Sequence, residues 1–324
     1  MRQLILEEAT YFKEIKETVI PYLKERKTEL QLEREPGKKL YCARYLVEDA
    51  VGVVVISHGF TETEEKYQEN IYYFLKKHYH VYMAEHCGHG YSYRLEEDLS
   101  LVHVDSYKRY ADDLLFVARR AAREQEGLPL FLYGHSMGGG VAAAALAMQP
   151  ELFDKAILSS PMIRPLTGGV PWTLAKLIAS AMCLLGKSEH YVPGHHAYDG
   201  KERFEDSASI CRERFDLYQE RRDAEPLYQM SAASCGWFHE AAKLNSYLRK
   251  TAWKHIKTPL LIFQASDDTL VSAKEQERFA AKVRSAGKTS AKIVYVPNTK
   301  HEIFNSSSDT LRKYWKMVFD FFAN

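Results

Sequence analysis

The chain has 324 residues, 46% hydrophobic and 27% charged, and its 44 basic and 43 acidic side chains leave a formal net charge of +1, which suits one α/β domain with an insertion and lacks the basic footprint of a nucleic-acid binder. Five scattered cysteines (Cys42, Cys87, Cys183, Cys211, Cys235) show no Cys-x-x-Cys spacing and read as reduced thiols rather than a disulfide framework or a zinc site. The N-terminus turns acidic before a signal-like apolar region forms, and the longest apolar stretch, Trp172–Gly186, is too short to span a bilayer and holds Lys176, so a soluble cytoplasmic protein is expected.

Residues 2–26 carry apolar positions at helical spacing, with an interruption expected near Pro21. Thr28–Arg34 and Lys39–Leu46 flank Pro36-Gly37 and predict a β-hairpin. Val51–Ser57 is an unbroken run rich in β-branched residues, the pattern of a strand buried on both faces. A helix is expected over Glu64–Lys77, a strand over Val81–Glu85, and a long amphipathic helix over Asp105–Gln125. Strands follow at Leu128–Tyr133 and Ala156–Ser160. The alternation then stops. Residues 162–250 hold four prolines, many aromatics and helical patterns without a clear strand. It resumes with the strand ending at Gln264, a helix over Ser272–Ser285, a strand over Ala291–Val296 and a helix over about Asp309–Phe322. This pattern predicts an α/β fold: a mostly parallel central sheet with helices on both faces. Residues 1–161 and 251–324 are expected to form the core domain, and 162–250 a helical lid.

The most informative stretch is Leu128–Gly140, where an apolar strand ends in Gly134-His-Ser-Met-Gly138 and an alanine-rich helix begins. A serine on such a turn is held clear of the sheet, and the glycines relieve crowding between strand and helix. Ser136 is therefore the candidate nucleophile. A serine hydroxyl needs a base, and the base needs an orienting carboxylate. In open α/β sheets these groups lie just beyond the carboxyl ends of strands. His301 follows the last strand, and Asp267 and Asp268 follow the strand before it. The order Ser, Asp, His is that of the α/β-hydrolases. On the residues alone either aspartate is eligible, the other being a helix cap or a loop residue. Oxyanion donors are expected from the backbone N–H groups of Met137 and of Phe60, which follows Gly59 after the first buried strand. His58 is expected to be structural. The close pairs His78/His80, His86/His89 and His195/His196 lack zinc spacing and read as surface, loop or lid residues. No metal or cofactor is expected.

These residues resemble the branch of the α/β-hydrolase fold that contains monoacylglycerol lipases and bacterial lysophospholipases of the L2 type. The resemblance is carried by Ser57-His-Gly-Phe60, Glu85-His-Cys-Gly-His-Gly-Tyr-Ser92, Gly134-His-Ser-Met-Gly138, Gln264-Ala-Ser-Asp-Asp-Thr-Leu-Val271 and Lys300-His-Glu-Ile303. It implies Asp268 as the acid, three positions before Val271. Glu85 stands where the family usually has Asp, and Cys87 where it often has Arg or Val. In the insertion, Phe204–Arg214, Tyr218 and Ser234–Glu240 look like the L2 lysophospholipases. The resemblance implies a serine carboxylic-ester hydrolase acting on single-chain lipid esters, lysophospholipid before monoacylglycerol. Short-chain esters or thioesters are alternatives. A peptidase or a non-catalytic binding protein is a more distant one. The segment Trp172–Leu185 is apolar almost all round if helical. It either packs on the core or faces something greasy, such as an acyl chain or a membrane surface.

Overall fold

The chain in this computed structural model, described over residues 4–200 and 202–324, opens with a helical run. Helices α1 (Tyr11–Glu14) and α2 (Ile20–Lys24) are joined by a π-helical turn at Ile15–Val19. Pro21, which has no N–H to donate back along the run, comes just after that turn. The expected interruption is a change of helix type rather than a break. Residues 2 and 3 of the expected helix lie outside the described residues.

Strands β1 (Lys27–Glu35) and β2 (Lys38–Tyr45) form the predicted hairpin. Its turn is tighter than expected, with Gly37 at φ 77°. Then come β3 (Gly52–Ser57), α3 (Gln68–Leu75), β4 (Tyr79–Ala84), the short β5 (Leu101–Val102) and α4 (Tyr107–Glu124). Strand β6 (Leu130–His135) runs directly into α5 (Ser136–Met148), and β7 (Lys155–Ser159) follows. The next stretch contributes α6 (Trp172–Leu184), α7 (Arg212–Ala224), β8 (Ala232–Ala233) and α8 (Cys235–Lys250). The chain closes with β9 (Leu260–Ala265), α9 (Ala273–Ser285), β10 (Ala291–Val296) and α10 (Ser308–Ala323).

Eight strands make one sheet in the order β1-β2-β4-β3-β6-β7-β9-β10. From β4 to β10 all neighbours are parallel, and β2 pairs antiparallel with β1 and β4. The two-residue side-chain period of a strand divides β3 between two cores. Val53 and Val55 face one cluster with α4, α5, α8 and α9, and Val54 and Ile56 face the other with α3 and α10. Burial on both faces is why these strands read as continuous apolar runs.

Residues 162–250 connect β7 to β9. They do hold a strand, which the sequence did not announce: β8 pairs parallel with β5, and two alanines are too short a run to leave a pattern. Helix α8 places Trp237, Ala241, Leu244 and Leu248 in the core cluster. Helix α6 does not pack on the core as one reading expected. Only Ala179 of this helix is buried, and Leu177, Leu184 and Leu185 are 66%, 88% and 71% exposed. No helix among the described residues is long and apolar enough to cross a membrane.

Candidate active site

The turn between β6 and α5 carries the site. Ser136 adopts φ 52°, a left-handed conformation that costs an L-residue energy and is kept where the surroundings impose it. The surroundings are crowded. A Cβ on Gly138 would stand 2.2 Å from the Ser57 carbonyl oxygen, and one on Gly134 would stand 2.9 Å from the Gly138 oxygen. Glycine at both positions lets the start of α5 settle onto the end of β3.

Ser136 Oγ lies 2.7 Å from His301 Nε2, and His301 Nδ1 lies 2.7 Å from Asp268 Oδ2. Asp268 Oδ1 accepts hydrogen bonds from the N–H groups of Leu270 and Val271 at 2.9 and 3.0 Å. Burial pushes the Asp268 carboxyl up, but the hydrogen bonds from His301, Leu270 and Val271 outweigh it and hold the group below its usual range. Asp267 is exposed, and its carboxylate accepts from Ser266 Oγ at 2.7 Å. Neither aspartate caps α9: Ser272 does, accepting from the Glu275 N–H. Ser136, His301 and Asp268 thus come together in one hydrogen-bonded row, which Asp267 does not join.

Of the two expected oxyanion donors, Met137 is in the first turn of α5, where N–H groups lack intrahelical acceptors. Phe60 lines both cavities that meet at Ser136, and its N–H finds no protein acceptor among the described residues. The turn before Phe60 is held by residues the sequence did not single out. Glu62 is buried and accepts from the Gly59 N–H and the Tyr67 hydroxyl, both at 2.6 Å. Burial works against its charge, but the ammonium of Lys66 and the Tyr67 hydroxyl win and bring the carboxyl down to about 2. Lys66 also pairs with Glu302, the residue after His301. The helical spacing of Glu62 and Lys66 was the one available signal.

His78, His195 and His196 are exposed, and His86 and His89 lie in a loop as expected, but His86 and His89 are buried there, and so is His80 on β4. His58 is structural: its Nε2 accepts from the His86 N–H at 2.8 Å, and burial brings its pKa down to about 4. His86 Nε2 is 2.9 Å from Ser57 Oγ. The rings of His58, His86 and His89 pack beside one another, and the His89 ring also meets that of Phe60. All five cysteines are unpaired. Burial pushes the Cys87 thiol up to about 12, unlike a reactive thiolate.

Two cavities flank Ser136. An apolar one of about 480 Å³ is lined by Met162, Ile178, Val192, Trp237 and Phe238 among others. A polar one of about 250 Å³ is lined by Glu62, Lys66, Glu202, Arg222 and Glu302 among others.

A serine on a strand–helix elbow, followed in chain order by its aspartate and histidine across a mostly parallel sheet, defines the α/β-hydrolase fold. Within that fold, the chain belongs to the family described as serine aminopeptidase, S33, whose model matches residues 48–308. It is 27% identical to a probable lysophospholipase L2 of Haemophilus influenzae over 278 residues, covering 85% of this chain and 86% of that one. It is 24% identical to a monoacylglycerol lipase of Mycolicibacterium smegmatis over 263 residues, covering 81% and 85%. Its fold is similar to that of a soluble variant of the Saccharomyces cerevisiae monoglyceride lipase, with a TM-score of 0.71 and 19% identity over 91% of this chain and 94% of that one.

Proposed function

We propose that the protein is a serine carboxylic-ester hydrolase acting on single-chain lipid esters, with lysophospholipids preferred to monoacylglycerols. The observation that carries this is the Ser136–His301–Asp268 row with an apolar cavity on one flank and a polar cavity on the other. Ser136 Oγ attacks the ester carbonyl as His301 Nε2 takes its proton. Asp268 orients the imidazole and balances its positive charge. The N–H groups of Phe60 and Met137 stabilise the tetrahedral oxyanion. His301 then returns the proton to the leaving alcohol, and water attacks the acyl-enzyme by the same route. Residues 162–250 act as a cap over the core formed by 1–161 and 251–324, and the exposed face of α6 touches the lipid surface that holds the substrate.

The cavities support the substrate class. Burial of an acyl chain gains about 0.8 kcal/mol per CH₂, so an apolar wall of this size favours long chains. The relatives named lysophospholipase L2 and monoacylglycerol lipase agree with a lipid ester. An aminopeptidase, the family's descriptive name, needs an uncompensated acid to hold a free ammonium. Here Lys66 pairs with Glu62 and Glu302, Arg222 with Glu202, and Arg203 with Asp206. Each of these four carboxylates already lies against one of the three cations, so none stands alone to hold a peptide's free ammonium.

The test is hydrolysis of lysophosphatidylcholine, monoacylglycerol and p-nitrophenyl esters of graded length. Ser136→Ala and Asp268→Asn are expected to lower kcat by on the order of 10³-fold or more, and Asp267→Asn by no more than a few-fold. An active Ser136→Ala sinks the mechanism. Acetyl esters turned over faster than long-chain esters sink the lipid reading alone.

A further inference from the structure

Apart from the catalytic row, Glu96, His103 and Glu189 each offer one ligand-type atom, and these atoms lie within 4.8 Å of one another. They come from separate parts of the chain. Glu96 precedes β5, His103 follows it, and Glu189 lies in the stretch between α6 and β8. His103 is buried, with 7% of its surface exposed. Its Nδ1 is 2.8 Å from Ser234 Oγ, the hydroxyl that caps α8. Gly236 closes on the same edge of the ring, since a Cβ there would stand 2.6 Å from His103 Cε1. The imidazole is therefore fixed, and Nε2, which has no hydrogen-bond partner among the described residues, is the nitrogen left for a ligand when Nδ1 carries the proton and donates to Ser234. A histidine that binds metal through one nitrogen usually has the other held by such a partner.

Among the described residues no ion pair joins Glu96 or Glu189 to a lysine or arginine. Two carboxylates and an imidazole whose ligand atoms lie within 4.8 Å of one another are satisfied together by one cation. Zinc takes this mixture of nitrogen and oxygen ligands, whereas calcium favours oxygen alone. The exposed side chain of Glu189 has the rotamer freedom to close onto an ion.

We infer that Glu96, His103 and Glu189 form a zinc-binding site that clips the inserted stretch to the loops around β5. The clip lies against one wall of the apolar cavity. The stretch carrying Glu189 is tied to the start of α8 by the Gly236 N–H to the Ser188 oxygen at 2.7 Å and the Cys235 N–H to the His190 oxygen at 2.8 Å. Val192 and Cys235 line the cavity itself. An ion at this site would hold that wall without taking part in ester hydrolysis.

The measurement is Zn²⁺ binding to metal-stripped protein by competition with a chromophoric chelator, alongside thermal unfolding with Zn²⁺ or Ca²⁺. The wild type is expected to bind one high-affinity equivalent of Zn²⁺, with a rise in Tm that Ca²⁺ does not reproduce. Glu96→Gln with Glu189→Gln should weaken that equivalent at least tenfold and abolish the rise. Since Glu189 is exposed, Glu189→Gln alone keeps the fold and should still weaken binding measurably. No high-affinity equivalent in the wild type, equal binding in the variants, or the same Tm rise with Ca²⁺ would overturn the inference. Loss of esterase activity in Ser136→Ala has no bearing on it.

Discussion

Glu85, at the end of β4, is almost wholly buried. Its carboxylate accepts from the Tyr91 N–H at 2.6 Å and the Glu64 N–H at 3.1 Å. Gly90 leaves room for it, since a Cβ there would stand 2.1 Å from Oε2. Burial raises its pKa to about 8 in spite of those two donors. The sign follows from linkage. A carboxyl whose folded pKa lies above its unfolded value binds more protons in the native state. Its contribution to stability is complete below about pH 4.5 and is lost as pH rises through about 8. Glu85→Gln should therefore shrink the fall in the urea midpoint between pH 5.5 and 8.5, and an unchanged difference would refute the account. At this scale Ser136 and His301 were legible from their positions at strand ends, which chain order reveals, whereas position left Asp267 and Asp268 equal and only the family resemblance pointed to Asp268. Glu62, Lys66 and Glu302 were not legible, because their importance comes from shared burial, and in the sequence they look like solvated charges.

Among the elements, α7 shows the same blind spot. Arg212–Ala224 is rich in charge and reads as a surface helix. Yet Arg214 is buried and bonds to both carboxylate oxygens of Glu69 on α3, at 2.7 and 2.8 Å. It also donates to the carbonyl oxygens of Leu6 and Ser306. One guanidinium thus joins α7 to the N-terminal segment, α3 and the loop before α10. Removing one partner of a buried pair leaves the other charge stranded, at a cost of about 3–5 kcal/mol. Arg214→Met should lower the thermal midpoint accordingly, and an unchanged midpoint would show the pair to be dispensable. The strands, by contrast, were legible to within about two residues, the central ones because burial on both faces leaves an apolar run. Pairing between β5 and β8 was invisible, because tertiary contact and not local propensity makes two-residue strands.

For the whole molecule, the mostly parallel sheet follows from the alternation of strands and helices, and the break in that alternation marks residues 162–250. What the pattern left open was the direction α6 faces. It lies outward, anchored by Ala179 and by contacts such as the Trp172 ring against Phe238 and Ser180 Oγ at 3.1 Å from His239 Nδ1. Exposed leucines on one helix are an unusual surface for a protein that meets only water. Leu177→Glu together with Leu184→Glu should weaken co-sedimentation with phospholipid vesicles at least tenfold and slow turnover of vesicle-borne lysophospholipid. Hydrolysis of a soluble p-nitrophenyl ester should stay within two-fold. Equal vesicle binding would remove α6 from the docking surface.

Ser136 belongs to the walls of both cavities. For the proposed reaction this makes the serine a junction with separate approaches. The alcohol half of an ester would depart on the polar side, and hydrolytic water would come in behind it. The fatty chain would stay moored on the oily side until the acyl bond is cut, then leave past α6 toward the lipid from which it came. Traffic of the two products would not cross, and the water-soluble one would clear the way for the second half of the cycle.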